Sequence, residues 1–172
     1  DEASRSVPND DRRVAASEEW RENEVAERIE YEYGPEGELI QAVLSEAGSD
    51  LETQERYRDG LLVEERVLDN GEVIKTSYLS YDDEDRLILR REVEDGQESQ
   101  FSFTYEGDRL VVEELRVNDE LRTVLRFPSD LERVEERYQR GELFLRVYYM
   151  DETRLREEFI RDGEVIRERR FD

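Results

Sequence analysis

The sequence has no cysteine and no histidine. The first absence excludes disulfides and thiolate chemistry. The second removes the commonest general base and metal ligand. Lysine is nearly missing too: Lys75 is the only one, so the basic residues are otherwise arginine. No apolar run approaches the roughly 20 residues that a membrane-spanning helix requires. Positive charge is outnumbered, with 26 Lys and Arg against 49 Asp and Glu, for a net charge of −23. That balance argues against nucleic acid, whose binding proteins need a basic face, and against an anionic membrane surface. It predicts a well-solvated surface. Arginine–glutamate pairs across strands would be its glue, at about 0.2–1 kcal/mol each.

What the sequence does have is a period. Aromatic residues close alternating runs at Tyr33, Tyr57, Tyr81, Tyr105, Phe127, Tyr149 and Phe171, in steps of 24, 24, 24, 22, 22 and 22 residues. A short acidic or glycine-containing turn follows each, and an aliphatic residue opens the next run. Such regularity predicts tandem repeats of 22–24 residues.

Residues 1–19 are polar and aperiodic and predict a flexible acidic leader. The first residue is Asp1 rather than Met, consistent with a removed upstream segment such as a signal peptide, or with a chosen boundary. Residues 20–172 predict a single domain, with Trp20-Arg21-Glu22-Asn23 turning into its first repeat. From Val25 the alternation has period two, which marks half-buried strands. Asn70-Gly71 is the strongest hairpin signal and suits a type I′ turn. The fold class is all-β: an antiparallel meander of 12–13 strands joined by tight turns.

Sorted by parity, the face of the aromatics carries Ile29, Tyr31, Phe101, Phe103, Leu125, Leu143, Leu145 and Val147. The other face carries Ser102, Arg122, Arg126, Arg146 and Arg170. In the returning strands the apolar face takes Val43, Val112, Val134, Tyr138 and Phe159 by the same parity. One face is thus expected to be apolar and the other charged. With no helix to cover the apolar face, the single large sheet is expected to roll, close partly into a barrel, or bury that face on a partner.

The turns carry a family resemblance. Tyr81-Asp82 followed by Arg86-Leu87, and Tyr105 followed by Gly107-Asp108-Arg109-Leu110, resemble the YD repeat of the Rhs proteins. Tyr138-Gln139-Arg140-Gly141-Glu142-Leu143 is similar to the unit of MORN-like repeats. The resemblance covers residues 25–171 and departs from the YD pattern where Gly34, Arg58, Glu106, Pro128 and Met150 replace the aspartate. It implies tandem hairpins in a long curved sheet, in bacterial extracytoplasmic or surface proteins that serve as shells, scaffolds and binding surfaces.

Chemistry is harder to find. Without His or Cys no nucleophile–base pair can be assembled, and among so many carboxylates no acid–base pair stands out. No catalytic residue and no cofactor is assigned. The sharpest metal candidate is Asp82-Asp83-Glu84-Asp85, dense in hard oxygen ligands suited to Ca²⁺ but lacking the spacing of an EF-hand loop. The expected function is therefore non-enzymatic: an envelope or secreted repeat protein, extracytoplasmic, whose partner is a protein. The alternatives are a small-molecule or glycan carrier with its cavity lined by the aromatic face, and a carboxylate-based hydrolase.

Overall fold

A computed structural model describes residues 3–8, 14–21 and 24–171. All regular structure among them is strand, and no helix is long and apolar enough to cross a membrane. The first strands are β1 (Ala3–Pro8), β2 (Val14–Arg21), β3 (Glu24–Tyr33), β4 (Leu39–Glu46), β5 (Leu51–Arg58), β6 (Leu61–Asp69) and β7 (Glu72–Tyr81). They continue as β8 (Leu87–Glu94), β9 (Gln97–Glu106), β10 (Arg109–Val117), β11 (Glu120–Arg126) and β12 (Glu132–Gln139). The last are β13 (Glu142–Met150), β14 (Thr153–Arg161) and β15 (Glu164–Arg170).

The strands lie in one sheet in strict chain order, so the described residues form an antiparallel meander of 15 strands rather than 12–13. The sheet does not close into a barrel: β1 neighbours only β2, and β15 only β14. Arg167, Arg169 and Arg170 are all exposed on β15, and charge on an edge strand opposes further pairing. The chain groups into two compact units, residues 1–80 with 92–96 and residues 81–91 with 97–172.

The two extra strands fall in the predicted leader. Residues 1–2 and 9–13 of it, with Glu22 and Asn23 of the predicted turn, lie outside the described residues. Val14–Arg21 pairs along β3, with Ala15 opposite Tyr31 and Ser17 opposite Ile29. Alanine and serine fit beside large neighbours without giving the apolar alternation by which strands are recognised.

Turn chemistry fixes the hairpins. Seven connections are two-residue turns with both φ values positive, including Asn70-Gly71 at 51° and 79°. This is the type I′ geometry, whose twist matches that of the strands. Glycine or asparagine takes such φ values at little cost. Asp151-Glu152, at 45° and 65°, has neither. Glu152 is 87 % exposed, and its ion pair with Arg133 is long at 3.9 Å. Glu152→Gly is therefore expected to stabilise the protein by about 1 kcal/mol. A urea midpoint that is unchanged or lower would refute this.

A second device recurs beside the turns. Nine pairings shift register by one residue, always through an extra residue in the strand leaving the turn. The extra residue is the third of its strand in eight of them, as at Val63, Ile74, Val111, Phe144, Leu155 and Ile166. In β4 it is the second, Ile40. These are β-bulges, which bend the strand and increase its twist.

The bulges overturn part of the face assignment. Beyond Ile40, Val43 pairs with Glu30 rather than with Tyr31 or Ile29. Beyond Val111, Val112 pairs with Thr104 on the opposite face from Phe103. Leu143, before the bulge at Phe144, pairs with Tyr138 and so lies away from Leu145 and Val147. Val134, across from Arg126 and Tyr148, is likewise on the second face. The expected division into one apolar and one charged face is therefore corrected. The buried apolar residues Ala42, Leu68, Val124, Leu145, Val147 and Ile160 are divided between the faces, and Glu64, Glu136, Glu157 and Glu158 are buried among them.

Candidate functional site

The repeat aromatics sit where every second strand ends. Tyr33 and Tyr81 are the last residues of β3 and β7, while Tyr57, Tyr105 and Tyr149 are the next-to-last of β5, β9 and β13. Phe127 and Phe171 directly follow β11 and β15. Near a turn a large ring covers backbone that no neighbouring residue shields.

The motif around Tyr81 has a physical task. One oxygen of the Asp82 carboxylate accepts hydrogen bonds from the backbone N–H groups of Glu84 and Arg86, both at 3.0 Å. The other accepts from the Arg86 guanidinium at 2.8 Å. The Arg86 hydrogen bond, chiefly, holds the Asp82 carboxyl below its ordinary range, and Asp82 in turn raises Arg86. Arg86, held from behind, lies 5.1 Å over the Tyr105 ring of the next hairpin and donates to the Gly107 carbonyl. Tyr105 donates its hydroxyl proton to the Leu87 carbonyl at 3.0 Å.

The same step repeats along the second unit. Arg109 donates to the Phe127 carbonyl at 2.6 Å. Arg133 lies 4.3 Å over Tyr149. Arg154 lies 4.6 Å over Phe171, whose ring also meets Arg169 at 4.8 Å. Each arginine early in a returning strand thus reaches the aromatic of the following hairpin. Cation–π contacts of this kind contribute about 0.5–1 kcal/mol at exposed sites. The acidic turn is consequently a hairpin clasp: Asp82 is engaged by its own backbone and by Arg86. Among the described residues no group of three or more Asp or Glu is placed to hold a metal.

The first unit uses its rings differently. Tyr31 and Tyr33 pack tilted at 35° with centroids 6.4 Å apart. Tyr57 donates to Glu55 at 2.6 Å. Burial first, and then the Glu55 carboxylate, push its hydroxyl up to about 12. Since the ordinary value of 10.0 applies to the unfolded chain, the Tyr57 contribution to stability is complete below pH 10 and fades as pH rises toward 12. Alkaline spectrophotometric titration should show a late phase that Tyr57→Phe diminishes. A late phase unchanged in that variant would contradict the assignment.

A ladder of ion pairs crosses the other face of the second unit. Register places Glu136, Arg146 and Glu158 side by side on β12, β13 and β14. Glu136 accepts from Arg146 at 2.9 Å, Arg126 at 3.2 Å and the Tyr138 hydroxyl at 3.3 Å. Glu158 accepts from the Tyr148 hydroxyl at 3.0 Å and Arg146 at 3.4 Å, and it pairs with Arg156 at 3.2 Å. In the first unit Glu64 is held in the same way by Arg56 and Arg66, at 3.0 and 2.5 Å. Burial works to raise Glu136, but hydrogen bonds from Arg146 and Arg126 outweigh it, and the net shift is downward.

Asp82, Glu136 and Glu168 are all lowered, and each accepts a hydrogen bond from arginine. That is the wrong direction for a general acid. In the first unit a 430 Å³ depression lined by Val73, Ile74, Lys75 and Val93 is open rather than enclosed. The linking arginines at 86, 109, 133 and 154 are only partly recognisable in the sequence: Arg86-Leu87 and Arg109-Leu110 belong to the repeat motif, and the other two are signalled by their distance from the next aromatic alone. No protein-family model matches this sequence, and no curated protein matches it.

Proposed function

We propose that the chain is a non-enzymatic tandem-hairpin protein of the bacterial envelope or a secreted one, acting as a scaffold or protein-interaction surface. The observation that carries this reading is the use made of its buried carboxylates. Glu64, Glu136, Glu157 and Glu158 are each engaged by an arginine of a neighbouring strand, so the groups that could do acid–base work act as cross-strand ties. The arginine-to-aromatic links are of the same kind, joining hairpin to hairpin. The YD-like turns support the same class and an extracytoplasmic location. A carrier would need an enclosing wall, and the unclosed sheet favours the interaction-surface reading over it.

Carboxyl-resolved NMR titration tests the reading. Asp82, Glu136 and Glu168, each held low by an arginine, are expected to be ionised at neutral pH. A carboxyl still protonated there, as a general acid requires, would overturn it. Location is tested separately by fractionating the source cells and following the protein with an antibody. Recovery only from the cytosol would count against the envelope assignment.

A further inference from the structure

We propose that the Asn70-Gly71 turn is a site of spontaneous covalent modification: the folded chain converts Asn70 to aspartate or isoaspartate, with water as the only co-reactant, and the hairpin keeps its structure only with aspartate. The Gly71 nitrogen attacks the Cγ carbon of Asn70. A bond forms between them, and the bond from Cγ to Nδ2 breaks. Ammonia leaves, its third proton balanced by the one lost from the Gly71 N–H, and a five-membered imide remains. Water then opens the imide at either carbonyl. Opening at Cγ gives aspartate with the ordinary peptide bond. Opening at the main-chain carbonyl gives isoaspartate, in which the chain runs on through Cβ and Cγ.

Sequence leaves one position suited to this reaction. The four asparagines are followed by Asp10, Glu24, Gly71 and Asp119. A side chain on the following residue shields the attacking nitrogen, and glycine has none. The structure removes the remaining obstacles. Asn70 and Gly71 are both exposed, and a Cβ placed on Gly71 would meet nothing within 4 Å. Asp69 and Glu72 close the β6–β7 ladder, so both turn residues lie beyond it. Ring closure needs rotation about the bond between Cα and the carbonyl carbon of Asn70, and opening at a hairpin tip costs little. The Asn70 N–H donates to the Asp50 carbonyl at 3.0 Å. That contact lies upstream of the rotating bond and survives the rotation. The side chain is held by its departing nitrogen, which donates to Asp69 at 3.0 Å, rather than by its carbonyl oxygen.

Asn118 has the opposite setting in the same kind of turn. Its φ of 50° matches the 51° of Asn70, and its N–H is anchored in the same way, on the Glu98 carbonyl. Its side-chain oxygen, however, accepts the Glu98 N–H at 3.0 Å, which fixes the amide, and Asp119 follows it. The two products differ in what the hairpin tolerates. Asp59-Gly60, Asp95-Gly96 and Asp162-Gly163 already make this turn, with first φ values of 53°, 49° and 54°. Aspartate at position 70 therefore leaves the geometry as it is. Isoaspartate lengthens the main chain by one carbon between Asp69 and Glu72. That disturbs the pairing that sets buried Leu68 opposite Val73.

Peptide mapping by mass spectrometry tests this on the full chain, kept folded in mildly alkaline buffer for several weeks, with a parallel sample in urea. The peptide holding Asn70 should gain the mass difference between an amide and an acid and should resolve into two products on chromatography. In the folded sample Asn70 should convert at least about tenfold faster than Asn118. The rate should rise with pH, because the attacking nitrogen must lose its proton. Asn70→Asp should keep the urea midpoint of the wild type, and the isoaspartyl protein, isolated by ion exchange, should unfold at lower urea. Conversion of Asn70 in urea but not in the folded sample would show that the turn protects it and would overturn the proposal. Equal conversion of Asn70 and Asn118 in the folded sample would do the same, as would equal urea midpoints for the two products.

Discussion

Val147→Asp unfolds the second unit. Val147 is 1 % exposed in the middle of β13. Register places it between Glu135 on β12 and Glu157 on β14. Both are already engaged, Glu135 by Arg137 and Tyr149, Glu157 by Arg154 and Arg169. A new carboxylate there is buried with two like charges alongside. The expected loss is about 4 kcal/mol or more, from burying an unpaired charge. Val147→Thr keeps the shape and introduces only a hydroxyl, for a loss of about 1–2 kcal/mol. Urea denaturation of the two variants should separate them clearly. Near-equal losses would mean that Val147 is not enclosed by its neighbours.

The second large effect belongs to Glu136, whose side chain is 7 % exposed while that of its partner Arg126 is 51 % exposed. Carboxylates lie inward and guanidinium groups outward, so removing the Glu136 charge weakens the hydrogen bonds from Arg126 and Arg146, of which Arg146 keeps Glu158. Glu136→Gln should cost about 2 kcal/mol at neutral pH. The pH dependence identifies the cause. The folded-state value of Glu136 lies below its ordinary 4.5, so its contribution is complete above pH 4.5 and is lost as pH falls through the lower, folded-state value. Stability curves of wild type and Glu136→Gln should converge in acid. A gap that stays constant down to about pH 3 would show that packing, not charge, is responsible.

Strand positions were readable because the turns announce themselves. From Val25 onward each alternating run is a strand, and Asn70-Gly71 turns as its chemistry requires. The faces were not readable. Period-two parity holds only while each residue has one partner, and the extra residue at Val111 or Phe144 reverses it. Ile74, Val111 and Phe144 interrupt the in/out pattern of the sequence for this reason. β2 escaped notice because Ala15, Ala16 and Ser17 join the ladder through backbone bonds without contributing apolar alternation. At the aromatic positions the sequence showed the rings but not what lies on them. A stacking arginine comes from the start of the preceding strand, 16–19 residues upstream, as Arg133 does for Tyr149, so no single alternating run contains both.

The links from arginines early in the returning strands to the repeat aromatics share a direction, and that direction makes the hairpin a unit of inheritance. Arg86 serves Tyr105, Arg133 serves Tyr149 and Arg154 serves Phe171, always from one hairpin to the next along the chain. Excising or duplicating one complete hairpin of the second unit leaves each remaining stacking arginine followed by a ring. Excising a single strand leaves an arginine without its ring and reverses the faces of all that follows. Lineages of such proteins should therefore differ in length by whole multiples of the aromatic spacing, with the stacking arginine copied along with its ring.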